Sequence, residues 1–196
     1  MSGVDGRIRV SLMKTLIING SPRVNGDTAA LIGELRGYLE GEVAEISAYR
    51  SNIAPCNDCR SCWTTAKCVI EDEMSVIYND DFDAVVLATP IYFMTLPGPV
   101  LSLMSRCQPW HAATYFLKKP LIQKPKKAGL ILTAGGKGNE SGAEHHIHVL
   151  FMLLGASWHG DHRASSLKTD TLPARDDEKA LSDVRALARW LNEGDR

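Results

Sequence analysis

Residues 19–30 read Asn19-Gly20-Ser21-Pro22-Arg23-Val24-Asn25-Gly26-Asp27-Thr28-Ala29-Ala30. A hydrophobic run, Thr15-Leu16-Ile17-Ile18, precedes this stretch, and apolar residues at helical spacing follow it. A small-residue loop between the carboxyl end of a strand and the first turn of a helix is where an α/β protein holds a phosphate. Gly20 and Gly26 let backbone N–H groups come close to an anion. Ser21 and Thr28 offer hydroxyls, and Arg23 offers a bidentate fork. No Gly-Lys-Ser/Thr follows, so this is not a Walker loop, and the spacing is not the dinucleotide GxGxxG. The same residues also suit an ordinary strand-to-helix turn capped by Asp27 or Thr28.

Outward from this loop the chain alternates strand and helix patterns. Thr15–Asn19, Ala84–Thr89 and Ala128–Ala134 are short apolar runs, expected as buried parallel strands. Val43–Ala48 alternates and reads as the second strand, and Ala156–His159 as a short last one. Helices are expected over Thr28–Glu40, Met74–Asn79, Pro97–Cys107, Glu140–Leu154 and Asp176–Asn192. This order predicts one α/β domain from residue 13 to 196. It is a doubly wound, five-stranded parallel sheet of order 2-1-3-4-5 with helices on both faces. Ligands of such sheets sit outside the carboxyl ends of strands one, three and four. Trp110–Pro125 has the least regular pattern. Its aromatics and the following lysines (Lys118, Lys119, Lys124, Lys126, Lys127) read as a solvated insertion, or alternatively as a lid or subunit contact.

Composition narrows the class. With 196 residues, 44% hydrophobic and 23% charged, the chain can build a single core. A net charge of -1 argues against a dedicated nucleic-acid binder. No apolar run reaches membrane-spanning length, so no membrane partner is expected. Residues 1–12 are polar with no signal-peptide core, and are expected to be a disordered extension of a cytoplasmic protein.

The second strand end carries Thr89-Pro90-Ile91-Tyr92-Phe93-Met94-Thr95-Leu96-Pro97, an apolar and aromatic edge suited to a planar ligand or to a core cluster. The third carries Thr133-Ala134-Gly135-Gly136, where glycine lets the backbone lie against a ring or form a flexible surface loop. Between strands two and three, Cys56, Cys59, Cys62 and Cys68 have the spacing C-x2-C-x2-C-x5-C. Four thiolates so close can hold a [4Fe–4S] cluster, whereas zinc sites of four cysteines usually separate two CxxC knuckles by a longer loop. Free thiols lining a loop are the other reading. Glu71, Asp72 and Glu73 suit a helix N-terminus, and Cys107 reads as a packed thiol. His145, His146 and His148 lack the i, i+4 pairing of helical metal ligands. His159 and His162 read as surface or packing residues, while His111 lies in the insertion, from which it could approach a ligand. No nucleophile elbow is present, so hydrolysis is not expected.

Asn19-Gly-Ser-Pro-Arg23, the cysteine cluster after strand two and Thr89-Pro-Ile-Tyr-Phe93 together resemble the flavodoxin-like NAD(P)H-dependent FMN reductases. They come closest to the branch that includes the iron–sulfur flavoproteins. The resemblance spans Met13 to Gly160. It implies that Ser21, Arg23, Asp27 and Thr28, with the backbone of Ala29, bind the FMN phosphate. It implies that Pro90, Ile91, Tyr92, Phe93 and Met94 cradle the isoalloxazine, and that Thr133, Ala134, Gly135 and Gly136 close over it. It further implies that Cys56, Cys59, Cys62 and Cys68 ligate a [4Fe–4S] cluster. The implied activity passes electrons from NAD(P)H through FMN to a quinone, a free flavin or an electron-carrier protein, with no catalytic side chain singled out. A homo-oligomer, dimer or tetramer, goes with it. Asp27 departs from the Asn of many relatives: a carboxylate repels phosphate unless it turns away to cap the helix. Two alternatives stand beside this reading: an iron–sulfur flavoprotein or flavodoxin-like electron carrier without nicotinamide activity, and a non-catalytic cysteine-based metal or redox-sensing module.

Overall fold

The computed structural model describes residues 13–122, 124–136 and 139–193. The N-terminal extension expected over residues 1–12 lies outside them. The chain runs β1 (Lys14–Asn19), α1 (Asp27–Tyr38), β2 (Glu42–Ser47), α2 (Cys62–Thr65), α3 (Ser75–Tyr78), β3 (Ala84–Pro90), α4 (Gly98–Ser105) and α5 (Gln108–Tyr115). It continues through β4 (Lys126–Thr133), α6 (Ser141–Leu153), β5 (Ala156–Ser157), β6 (Arg163–Ser166), a 3-10 turn (Ala174–Asp176) and α7 (Glu178–Asn192). The strands are parallel in the order β2-β1-β3-β4-β5, as the alternation of patterns predicts.

The central strands are buried on both faces, and the period of two divides their side chains between two cores. Leu16, Ile18, Val85, Leu87, Leu130 and Leu132 pack with residues of α3, α4, α5 and α6. Ile17, Val86, Ala88 and Ile131 face the other way, onto Leu31 and Leu35 of α1 and Val184 and Leu187 of α7. Helix α7 buries Ala180, Leu181, Val184, Leu187, Ala188 and Leu191, a stripe at helical spacing that serves this second core.

The fifth strand position differs from the expectation. Ala156–Ser157 pairs only with Lys126–Lys127, and Arg163–Ser166 then resumes the position against Leu130–Thr133. The intervening turn carries Gly160 at φ +90°. Arg-Ala-Ser-Ser has no apolar run to announce a strand: Ala164 and Ser166 alone are buried there. The helix expected over Pro97–Cys107 ends early, and α5 begins two residues beyond Arg106, so the first half of the presumed insertion is helical. Nor is the lysine run wholly solvated. Lys126 is buried against Asp80 at 2.7 Å, Lys124 pairs with Asp83 at 2.7 Å, and Lys127 donates to the carbonyls of Trp190 and Glu193. No helix among the described residues is long and apolar enough to cross a membrane.

Loop one presses directly onto β3. A Cβ at Gly20 would stand 2.5 Å from Thr89 Oγ1 and 2.7 Å from Val100 Cγ2. Gly33, inside α1, has nothing within 4 Å of its would-be Cβ. Gly20→Ala is therefore expected to destabilise the protein by ~1–3 kcal/mol through overpacking. Gly33→Ala should stabilise it by ~0.5–1 kcal/mol through helix propensity. Urea midpoints of the two variants should move in opposite directions.

Candidate functional site

The parallel register aligns the ends of β1, β3 and β4. Asn19 lies opposite Ala88, Ala88 opposite Ile131, and Pro90 opposite Thr133. Loops one, two and three therefore emerge side by side. Gly20 N–H donates to Ala88 O at 2.8 Å, Ile91 N–H donates to Thr133 O at 2.9 Å, and the Thr28 and Thr133 hydroxyls share a hydrogen bond of 2.8 Å. All the residues expected in the three loops, from Ser21 to Gly136, meet at this end of the sheet.

In loop one, the Asn19 side chain accepts from Ser21 N–H at 2.9 Å and donates to Glu45, which fixes the turn. Gly26 is the N-cap of α1 and supplies no side-chain cap. Among the described residues the N–H groups of Asp27, Thr28 and Ala29 have no acceptor, so the positive end of the α1 dipole is left with unbonded donors, with the Asp27 carboxylate in its first turn. Asp27 does not cap its own helix. Its carboxylate accepts from Ala174 N–H at 3.0 Å and from Arg23 at 2.9 Å. Arg23 is thus committed in part to cancelling Asp27, a partnership the sequence pattern did not announce.

Loop two makes a tight turn in which Tyr92 and Thr95 exchange both backbone hydrogen bonds, at 3.0 and 2.9 Å. The two residues at its tip, Phe93 and Met94, have φ of +49° and +63°. Turns with positive φ at both central positions favour Asn-Gly, because a Cβ is strained there. Phe93 is fully exposed at 103%, with Tyr92 and Met94 half exposed beside it. The N-terminus of α6 packs under the turn: a Cβ at Gly142 would lie 2.3 Å from Met94 O. Pro90 and Ile91 are buried at its base, so only Tyr92, Phe93 and Met94 form an accessible apolar edge.

Thr133 and Ala134 are buried in loop three, while Gly135 and Gly136 are exposed, Gly136 at φ +66°. The segment after β6 wraps this loop: Ala134 N–H donates to Ser166 O, and Thr169 N–H donates to Ala134 O. Ser166 donates to Asp177, which also caps α7. These neighbours were not anticipated, because nothing in Ser166–Ala174 carries a motif and only the sheet edge brings them in.

The four clustered cysteines sit elsewhere. Cys56, Cys59, Cys62 and Cys68 line one small cavity together with Arg106 and Trp63. The loop turns through positive φ at Asp58, Arg60 and Ala66. Cys59 is exposed, and its contacts with the backbone and hydroxyl of Ser61 hold its thiol below its ordinary range. Burial pushes the Cys62 thiol up, reinforced by the other three sulfurs. Among the described residues, no three His, Cys, Asp or Glu side chains are arranged to hold a single metal ion. Cys107 is buried beneath the helices, its thiol pushed up to about 12. His111 lies on α5 against Tyr115, 4.6 Å between ring centroids, while Phe116 bridges α5 to Trp63 of the cysteine segment at 5.0 Å. His162 stacks on Trp190 at 3.5 Å, a packing role.

Arg106 clasps the cysteine segment at both ends. It donates to Ala54 O at 2.7 Å, to Ile70 O at 3.2 Å and to both oxygens of Asp72 at 2.6 and 3.2 Å. Asp72 in turn accepts from Ala54 and Met74 N–H. The pair is 1% and 4% exposed. Asp72, expected only to favour a helix N-terminus, does sit at the start of α3 and is also half of a buried bidentate ion pair. Residues 50–56 connect the two regions: Arg50 donates to Ser21 O, and Cys56 N–H to Ser105 on α4.

A flavodoxin-like α/β sheet with an uncapped helix N-terminus at its switch point defines the class. The chain belongs to the NADPH-dependent FMN reductase family, which it matches over residues 13–168. It is similar to an iron–sulfur flavoprotein of Archaeoglobus fulgidus, 28% identical over 190 residues that span 90% of this chain and 94% of that protein. It is also similar to one of Methanosarcina thermophila, 27% identical over 189 residues, 91% and 93% of the two chains. In fold it resembles an FMN-dependent NADH-azoreductase from Bacillus anthracis solved with FMN, at TM-score 0.65, 16% identity and coverage of 92% of this chain and 100% of that one. The NAD(P)H:(acceptor) oxidoreductase FerB from Paracoccus denitrificans superposes at TM-score 0.57, 18% identity, 91% and 97% coverage.

Burial alone would raise the Asp72 carboxyl, but the Arg106 bonds and charge and two backbone N–H groups outweigh it and hold the group below the usual carboxylate range. A depressed folded pKa contributes stability above the unfolded value of ~3.9, and that stability is lost as pH falls through the lower folded value. Wild type should therefore lose more stability than Asp72→Asn as pH drops below ~4, although the variant starts on the order of 3–5 kcal/mol weaker at neutral pH. Phe93→Asn should raise stability by ~0.5–1 kcal/mol by relieving the turn. Denaturant unfolding of both variants across pH checks the two expectations.

Proposed function

We propose that this protein is a flavin-dependent oxidoreductase that holds FMN at the three loops, accepts reducing equivalents from NAD(P)H and passes them to an acceptor through an iron–sulfur centre on Cys56, Cys59, Cys62 and Cys68. The observation that carries the flavin half is the set of three N–H groups, on Asp27, Thr28 and Ala29, that have no acceptor among the described residues at the carboxyl end of a doubly wound sheet. An anion belongs there on both dipole and hydrogen-bonding grounds. The match of the chain to an FMN reductase family agrees with it.

The chain's own residues supply position and charge. Ser21 and the Thr28 hydroxyl, oriented by Thr133, would complete the phosphate cradle begun by the helix N–H groups. Arg23 would neutralise both the phosphate and Asp27. Tyr92, Phe93 and Met94 offer an apolar edge to a planar ring, and the exposed backbone of Gly135 and Gly136 can approach it without a side chain between. FMN, when bound, supplies the hydride acceptance and the one-electron release that no side chain here provides. Partners of this scheme are a nicotinamide cofactor and a small-molecule or protein acceptor. Association into a homo-oligomer would cover the exposed Phe93.

The cysteine half rests on four sulfur donors lining a single cavity, with their loop clasped at both ends. An all-sulfur donor set is soft, which favours zinc or iron–sulfur chemistry. Zinc needs all four sulfurs within ~2.3 Å of one point. A four-iron cluster spreads its four thiolate ligands over separate irons, and the compact C-x2-C-x2-C-x5-C spacing suits that better than a zinc site built from two separated knuckles. Similarity to iron–sulfur flavoproteins agrees with this choice. Such a centre, when bound, relays single electrons.

The deciding experiment is the absorption spectrum of anaerobically purified protein before and after NADPH. A two-banded flavin spectrum over a broad sulfur-to-iron absorption, bleaching with NADPH, is expected. Flavin that NADPH leaves oxidised would favour an electron carrier, and colourless protein that takes up no FMN would overturn the proposal. Arg23→Ala is expected to weaken FMN binding by on the order of 1.5–3 kcal/mol, as read by quenching of flavin fluorescence.

A further inference from the structure

Arg106 spends only part of its donor capacity on the clasp. Its two terminal nitrogens serve Asp72, Ala54 O and Ile70 O. Its Nε–H, shut off from solvent, has no acceptor among the described residues. Folded proteins seldom leave a buried donor unpaired without a reason in function or in a bound group. The same side chain lines the cavity shared by the four cysteines.

We infer that Arg106 tunes the reduction potential of the centre held by the cysteines, by donating its Nε–H to a sulfur of that centre. This rests on the reading of Cys56, Cys59, Cys62 and Cys68 as ligands of an iron–sulfur cluster. Reduction adds one electron to the cluster, and the added negative charge spreads onto its sulfurs. A hydrogen bond to sulfur is therefore stronger in the reduced form and raises the potential. The proton stays on the guanidinium throughout, so the step is electron transfer alone. The directional N–H contact is the lever rather than net charge, because Asp72 lies against the guanidinium and cancels most of its field. Arg60 also borders the cavity, but it is exposed, paired with Asp58 and stacked over Trp63, so solvent screens it. Arg106 acts as a positioning and tuning residue. The clasp holds the loop, and the spare N–H belongs to a side chain that lines the same cavity as the thiols.

Arg106→Lys keeps a cation against Asp72 and removes the Nε–H. Wild type and variant, matched for iron and sulfide content, are titrated potentiometrically and followed by electron paramagnetic resonance. The oxidised-to-reduced ratio at a fixed potential should rise at least tenfold in the variant, a drop of ~59 mV for a one-electron couple. A full cluster with an unchanged potential would sink the inference while leaving the cluster reading intact. Wild-type protein without iron or sulfide would overturn both. Should the variant fail to assemble, pulsed resonance on reduced wild type labelled with [15N]arginine decides the matter. A nitrogen coupling that persists in Arg60→Gln supports Arg106. No coupling, or one lost in Arg60→Gln, rejects it.

Discussion

Asn19, Ala88 and Ile131 stand side by side in the parallel register of β1, β3 and β4, and the position of every loop at that end follows from it. The register is held by buried strands whose alternate side chains enter two different cores, so a slip of one residue would exchange the cores. With the strand ends aligned, the backbone of loop one is driven against Thr89, close enough that position 20 has no room for a side chain. The helix that follows starts with three N–H groups that have no acceptor among the described residues, at the end of the sheet where the loops emerge. The donors on which the proposed anion site rests thus arise from packing, before any particular side chain is counted.

The cysteine segment obeys a different constraint. Residues 55–69 contribute little to either core and contain only four residues of helix. The Arg106–Asp72 pair, buried at considerable desolvation cost and compensated by bidentate geometry and by carbonyls at both ends of the segment, holds them together with the Cys56–Ser105 bond and the Trp63–Phe116 contact. Arg106 itself stands between α4 and α5, so the clasp ties the loop to the helical layer over β3. A site of soft ligands can then be presented at the surface by a backbone that makes few bonds of its own.

Two features run against stability for its own sake. The turn at Phe93–Met94 keeps non-glycine residues at positive φ and leaves an aromatic ring in water. The Arg106 Nε–H is buried without a partner among the described residues. Strain and unsatisfied donors of this kind collect where a protein meets what it binds. Here one lies in each of the two regions, and both are read most simply as places kept ready for a group from outside the chain.

The α/β class, the strand order and the two clusters of chemistry were legible in the residues. Buried strands need unbroken apolar runs, and phosphate loops and cysteine clusters need small residues and thiols at short spacing. Local periodicity could not disclose β6, because Arg-Ala-Ser-Ser is a strand only by virtue of the edge of β4. It could not disclose that Lys126 is buried, since its partner Asp80 comes from a distant turn. Nor could it separate Asp72 from the acidic residues beside it: the pairing with Arg106 spans 34 positions. The sequence by itself determined which elements form and which chemical groups are on offer, because those depend on spacing along the chain. Only the tertiary structure decided which of those groups meet and which are left unpaired, because burial and hydrogen bonding are settled between segments far apart in the chain.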